Sequence, residues 1–286
     1  MPHTQGDNNS CDCGTFFLDV VGRYAPGEVA VVASSRERES NPKVEQAIER
    51  AWQEQTRQAA AAGRRLFNGR LARLVCYEPL PHRLELTLGQ TTYREFLGTN
   101  LYNAALRYTY GGDVLGDPLG VSAAILTADN YILLGLRSDQ VAFHAGRLHP
   151  IGGMLELLPD DRPPDPFQAV LNEIEQELGL QRTDLLSPLC LGLVRDRKIV
   201  QPELVFWMRA AAIASDIRAQ WSAASDAHEH TDLAAVRSDA TSVIEFIQHR
   251  TADLTPLALA TLLLHGQHTW GSGWFTAARG YLRKVV

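Results

Sequence analysis

The stretch from Asp165 to Gly179 constrains the fold more than any other part of the chain. Asp165 is a residue type that accepts hydrogen bonds from the free N–H groups of a first helical turn, and Pro166 suits the first helical position. Phe167, Val170, Leu171, Ile174 and Leu178 then fall on one side at the 3.6-residue repeat. Gly179 can adopt the left-handed conformation that ends a helix. The spacing therefore predicts a helix over 166–178 with one apolar stripe, and such a stripe needs a second layer to cover it.

The neighbouring segments supply that layer. Residues 120–127 and 131–136 read as strands around the turn Ala128-Asp129-Asn130, which makes a hairpin. Further strands are expected at 190–194, 203–210 and 233–237, and helices at 241–249 and 256–265. Upstream, strands at 16–21 and 29–33 flank the turn signal Ala25-Pro26-Gly27, and Asn41-Pro42 opens a helix that stops near Gly63. Strand-like runs at 71–77 and 84–88 follow, and 91–108 reads as helical or irregular. The order predicts an α/β protein with a mixed sheet covered on both faces. The Gly- and Asp-rich stretch 111–118 reads as a boundary, giving a β-plus-helix module over 1–111, with 1–14 as a tail, and a main domain over 112–286.

Composition narrows the partners. With 45% hydrophobic and 21% charged residues, the 286-residue chain can bury a sizeable core and is not a disordered chain. A net charge of −6 provides no global basic field for nucleic acid, so none is expected as a partner. The most apolar run, 254–264, is well short of the roughly 20 residues of a spanning helix, and the polar start MPHTQGDNNS has no signal-peptide core. Cys11, Cys13, Cys76 and Cys190 are too scattered for a disulfide framework, and Cys11 and Cys13 read as a reduced pair in a tail. A cytoplasmic protein, away from membranes, is the expectation.

The chemistry centres on the same helix. Glu173, Gln176 and Glu177 share a face next to the apolar stripe, because residues three and four apart are neighbours. Two carboxylates side by side repel each other unless a cation lies between them, and Mg²⁺ takes hard oxygens from one or two carboxylates and from substrate phosphates. The pair alone also suits a solvated helix face. Upstream, Gly152-Gly153 allows close backbone approach and offers carbonyl oxygens, and Glu156 can return a third carboxylate to the same place.

The run GGMLE followed by NEIEQELGL resembles the Nudix box, a Gly-Gly-x-x-Glu turn and then Arg-Glu-x-x-Glu-Glu-x-Gly on a helix. By that resemblance Glu173 and Glu177 match glutamates that bind the catalytic divalent metal, and Glu156 matches the glutamate after the glycines. Gln176 stands where a further glutamate is usual and Asn172 where an arginine braces the site. The insertion 157–164 is longer than usual, and a general pattern built on the common box would reject this sequence. The order LFNG (66–69), TTYREFLGTN (91–100), DPLGV (117–121) and LRSDQVAFHAG (136–146) is similar to Nudix enzymes of animals and plants that hydrolyse UDP-glucose and UDP-galactose to UMP and hexose 1-phosphate.

The resemblance implies a Nudix α/β/α sandwich and Mg²⁺, with Mn²⁺ as a substitute. The metal set is Glu173, Glu177, Glu156, a backbone oxygen near Gly152, and Gln176. Pyrophosphate cleavage needs neutralised phosphates and an activated water. Glu203, at the start of a strand, is a candidate base or a solvated strand end, and Glu229 is a weaker candidate. Arg137, Ser138 and Gln140 are expected near the phosphates. Tyr93, Arg94, Thr99 and Asn100 are recognition or docking residues. His228 and His230 read as part of a polar loop rather than a metal pair. Trp270, Trp274 and Phe275 serve either as a stacking surface or as core packing, the latter being preferred. Two rival readings are a Nudix enzyme for ADP-ribose or a dinucleotide, and a Nudix-like domain that only binds a nucleotide or a partner.

Overall fold

The computed structural model describes residues 11–158 and 162–285; most of the expected tail and part of the 157–164 insertion lie outside the described residues. The strands are β1 (Cys11–Asp12), β2 (Phe16–Tyr24), β3 (Val29–Ala33), β4 (Arg70–Leu80), β5 (Arg83–Thr92), β6 (Gly120–Leu126), β7 (Tyr131–Arg137), β8 (Leu148–His149), β9 (Ile151–Met154), β10 (Leu185–Asp196), β11 (Pro202–Ala210) and β12 (His230–Arg237). The α-helices are α1 (Pro42–Ala61), α2 (Tyr93–Phe96), α3 (Leu106–Tyr110), α4 (Pro166–Leu178), α5 (Ala214–Gln220), α6 (Ala240–Arg250) and α7 (Pro256–Val285).

The large sheet runs β1-β2-β10-β11-β6-β7-β12, with β9 on β6 and β8 on β7. β11 and β6 are parallel and the other pairs are antiparallel, so the sheet is mixed. Both of its faces are covered, which is why every residue of β6 is buried and, Ser122 apart, none is polar. Its Val121, Ala123 and Ile125 join the core under α4 and α5. Ala124 and Leu126 join the core under α6 and α7.

The sheet is split where the site lies. β6 and β7 pair only at Leu126↔Ile132, beside the hairpin turn. Beyond that point they part: β9 takes the edge of β6 from Ala123 to Gly120, and β8 takes Gly135 and Leu136 of β7. Gly152 and Gly153, expected in a turn, lie in β9, which together with β8 holds the split open.

Several expectations are corrected. The turn after β2 forms, with Glu28 N–H donating to the Ala25 carbonyl at 2.9 Å, but β2 and β3 enter different sheets. β2 pairs with β10 in the large sheet, Val20 opposite Leu193, so the amino-terminal segment is not a separate module. The small sheet β3-β5-β4 likewise sends Leu74, Leu84, Leu86 and Leu88 into the core that holds Val121 and Ile174. A division at residue 111 would cut one core in two. Cys11 and Asp12 form an edge strand and Cys13 is fully buried, so these three residues do not belong to the expected tail.

Residues after α2 form a π-helical turn, Leu97–Leu101. Gly98 docks it on α1, since a Cβ there would lie 2.4 Å from Ile48 Cα. The last helix continues far past His265, with a break at Gly271 where φ is +85°. Among the described residues no helix is long and apolar enough to cross a membrane.

Candidate active site

Helix α4 forms as its caps dictate. Asp165 Oδ1 accepts from Phe167 N–H at 2.9 Å, and Gly179 closes the helix with φ of +72°. Phe167, Val170, Ile174 and Leu178 are buried against the sheet, which turns Glu173 and Glu177 towards β9. There the two glycines are needed for space. A Cβ on Gly152 would lie 2.1 Å from the Val121 carbonyl oxygen, and one on Gly153 would lie 2.6 Å from the Glu173 carboxyl group.

Glu177 is 2% exposed, and its Oε1 accepts from Gly152 N–H at 3.1 Å. Its Oε2 lies 2.5 Å from Nε2 of His230, the first residue of β12. Glu203, at the start of β11, lies against Gly120 of β6, where a Cβ would come within 2.8 Å of its Oε2. Carboxylates from α4 and β11 thus flank the split in the sheet.

The electrostatics follow from crowding and loss of water. Burial, then the charges of Glu177 and Glu229, pushes the Glu173 carboxyl up to about 8. Burial likewise holds Glu203 at about 8, although Ser122 and Arg137 pull it down. Glu177 is raised well above the usual carboxylate range, first by burial and then by Glu229. Burial and the charge of Arg137 push the His230 imidazole down to about 4.

This donor set fits a hard divalent cation, whose charge would relieve what raises these carboxyls. Among the described residues no cluster of three His, Cys, Asp or Glu side chains makes a ready cage.

In front of these groups lies a cleft of about 320 Å³, lined by Tyr93, Arg137, Gln140, Phe143, His149, Gly152, Gly153, Gln201, Glu203, His228 and Glu229. Arg137 is 8% exposed; its Nε donates to the Phe143 carbonyl at 3.1 Å and its guanidinium covers the Phe143 ring. Its charge is felt by Glu177, Glu203 and Glu229. Tyr93 brings the amino-terminal segment to the cleft wall.

Other expected residues lie elsewhere. Ser138 Oγ accepts from Gln140 N–H, and its own N–H donates to the Glu229 carbonyl, so it shapes the loop. Arg94 is paired with Glu49 of α1. Asn100 is fully buried, donating to Asp117 and to the Ile199 carbonyl and accepting from Asp117 N–H. It ties the amino-terminal segment to the large sheet rather than meeting a ligand. Thr99 does the same through Gly116 N–H.

Gln176 and Glu156 are both exposed, although the charge of Glu156 still reaches Glu173. Asn172 accepts from Arg182 at 2.7 Å on the outer side of α4. Trp270, Trp274 and Phe275 pack into the core under α6 and α7. The residues missed by sequence reasoning are His230, Phe143, His149 and Gln201. His230 is not in a polar loop but is a buried strand residue, 5% exposed. The signal lay in its apolar continuation, LAAV, which makes a strand beginning at His230 credible.

No family model matches the chain. It is 31% identical over 276 residues to the uridine diphosphate glucose pyrophosphatase NUDT22 of Mus musculus, covering 87% of this chain and 88% of that one. The Homo sapiens protein of the same name is 30% identical over 284 residues, covering 88% and 92%. Nudix hydrolase 9 of Arabidopsis thaliana is 27% identical over 253 residues, covering 75% and 80%. Among solved structures, a MutT protein from Methanosarcina mazei Go1 overlaps 53% of this chain and 94% of its own, with a TM-score of 0.39 and 17% identity.

The chain belongs to the Nudix hydrolase family and is a pyrophosphohydrolase of the Nudix α/β type. Within that family it stands in the branch of the NUDT22 proteins, with which it aligns over most of its length.

Proposed function

We propose that the chain hydrolyses the pyrophosphate bond of a UDP-hexose, UDP-glucose or UDP-galactose, to UMP and hexose 1-phosphate, using Mg²⁺ with Mn²⁺ as a substitute. The observation that carries the reading is the pair Glu173 and Glu177, set by α4 against the Gly152–Gly153 strand at the edge of a cleft that holds a buried arginine. The names of the relatives supply the substrate class.

Glu173 and Glu177, with a backbone oxygen near Gly152, would hold the cation. When bound, it supplies charge neutralisation for the phosphates and a more acidic water. Arg137 binds and orients the phosphates from the opposite wall, as a fixed donor that the desolvated cleft makes stronger. Glu203 accepts the proton of the attacking water at a carboxylate oxygen. Burial keeps this carboxyl protonated to about 8 despite Arg137, so the role needs a bound cation to draw it down towards neutral pH. Tyr93 and Phe143 offer aromatic faces in the cleft to the uridine or hexose. Four cysteines, too few and too scattered along the sequence for a disulfide framework, support a reducing compartment such as the cytoplasm.

The test is product analysis with UDP-glucose, UDP-galactose, ADP-ribose and GDP-mannose, each with Mg²⁺. UMP and hexose 1-phosphate from the UDP-sugars, lost on chelation, is the expected result. Turnover of ADP-ribose alone would overturn the substrate class, and binding of UDP-sugar without turnover would overturn the catalytic role.

A further inference from the structure

Both hydrogen-bond partners of the Glu177 carboxylate come from outside its own helix: Gly152 N–H from β9 and the His230 imidazole from β12. The His230 side chain is 1% exposed and that of Glu177 is 3% exposed. The ring has a place made for it. It lies over Gly135 of β7, where a Cβ would come within 2.2 Å of Nδ1. Among the described residues Nδ1 has no hydrogen-bond partner, so the contact with Glu177 is the polar contact there that orients the ring. Asn172, earlier on α4, faces outward to Arg182.

We propose that His230 is the positioning residue of the metal site, donating its Nε2–H to Glu177 and fixing the carboxylate in the rotamer that lies along β9. The proposal rests on the reading of Glu177 as a cation ligand. A ligand carboxylate must be deprotonated, so the hydrogen in this contact belongs to the imidazole. The choice of donor has a consequence. A guanidinium at this place would neutralise the ligand it braces, whereas a buried neutral imidazole holds the carboxylate by one hydrogen bond and leaves its charge for the cation. Partners of this kind orient metal ligands and set their affinity.

The test is Mn²⁺ affinity of the full chain without substrate, read from the electron paramagnetic resonance signal of free Mn²⁺. His230→Asn carries its amide too short to reach the Nε2 position, and its affinity is expected to fall by about tenfold to a hundredfold. His230→Gln places an amide N–H near Nε2 and is expected to stay within about threefold of the parent. Gly135→Ala keeps every donor but pushes the ring off its seat, so it is expected to lose affinity as His230→Asn does. Thermal melts report folding of each variant. Unchanged Mn²⁺ affinity in His230→Asn overturns the proposal. So does an equal loss in His230→Asn and His230→Gln that tracks their melting temperatures, since packing alone would explain it. If the parent chain binds no Mn²⁺, the metal reading of the preceding section falls as well; parent binding with an unaffected His230→Asn removes the brace alone.

Discussion

Adding one methyl group at Gly153 should disable the enzyme without unfolding it. The added Cβ would stand 2.6 Å from the carboxyl carbon and both oxygens of Glu173, against an ordinary contact distance of at least 3.4 Å. The carboxyl group must therefore retreat by about 0.8 Å or more. The end of a flexible side chain can do this at low cost, and Gly153 does not have a positive φ, so alanine strains no backbone. Stability should fall by no more than about 1–3 kcal/mol, the usual cost of an extra methyl group in a packed place.

Catalysis is less forgiving. A misplacement of about 1 Å in a group that holds a reacting centre costs on the order of a hundredfold. We expect kcat/KM for UDP-glucose, measured by UMP release at several Mg²⁺ concentrations, to drop by about 30- to 100-fold. High Mg²⁺ should recover part of the loss, because a displaced ligand weakens cation binding before it abolishes it. Gly120→Ala is the matched comparison, since its Cβ would press on Glu203 at 2.8 Å from another strand. It should lower kcat without the Mg²⁺ rescue. Activity within threefold of the parent in Gly153→Ala, with a normal melt, would refute the placement of Glu173 in the mechanism.

Three further outcomes follow from the same geometry. Glu177→Gln should cut turnover by about a hundredfold or more at unchanged fold, checked by kcat and circular dichroism together. Asn100→Ala should destabilise by about 1–3 kcal/mol in urea titration, since it strips partners from buried Asp117 and from the Ile199 carbonyl, while activity per folded molecule stays near normal. Stability of the cation-free protein should fall from pH 6.5 to 8. Glu173 and Glu203 keep their protons to about 8 when folded but release them near 4.5 when unfolded, so the native state binds more protons in this window and loses stability as pH rises. Below 6.5, His230 and His265, held neutral down to about 4 and about 3, act in the opposite sense. Melting temperatures should show this slope and Glu203→Gln should reduce it; a flat profile in the parent would contradict the burial of these carboxyls.

What could be read from the sequence was what is decided locally. Helix α4 begins after Asp165 and ends at Gly179 as its capping residues require, and Glu173 and Glu177 follow from its repeat. The hairpin of β6 and β7 was legible for the same reason. The pairing of β2 with β10 was not, because Val20 meets Leu193 and no local pattern records a partner so distant. β9 was hidden because a Gly-Gly strand has no side chains to alternate. His230 was misjudged because its burial depends on the room left by Gly135 of another strand. Arg94 and Asn100 sit in a segment whose chemistry suited either recognition or docking, and the structure uses both for docking.

The shared core has a consequence for how the protein is made. β2 leaves the ribosome early, yet its place beside β10 cannot be filled until most of the chain has followed. The cleft is drawn from the same span, from Tyr93 to Glu229. Until β10 arrives, the apolar face and open edge of β2 have no cover, the condition under which a nascent chain associates with the wrong neighbour. Activity in this enzyme is therefore a late event of synthesis, and a chain cut short before β10 carries the cost of an exposed edge with none of the function.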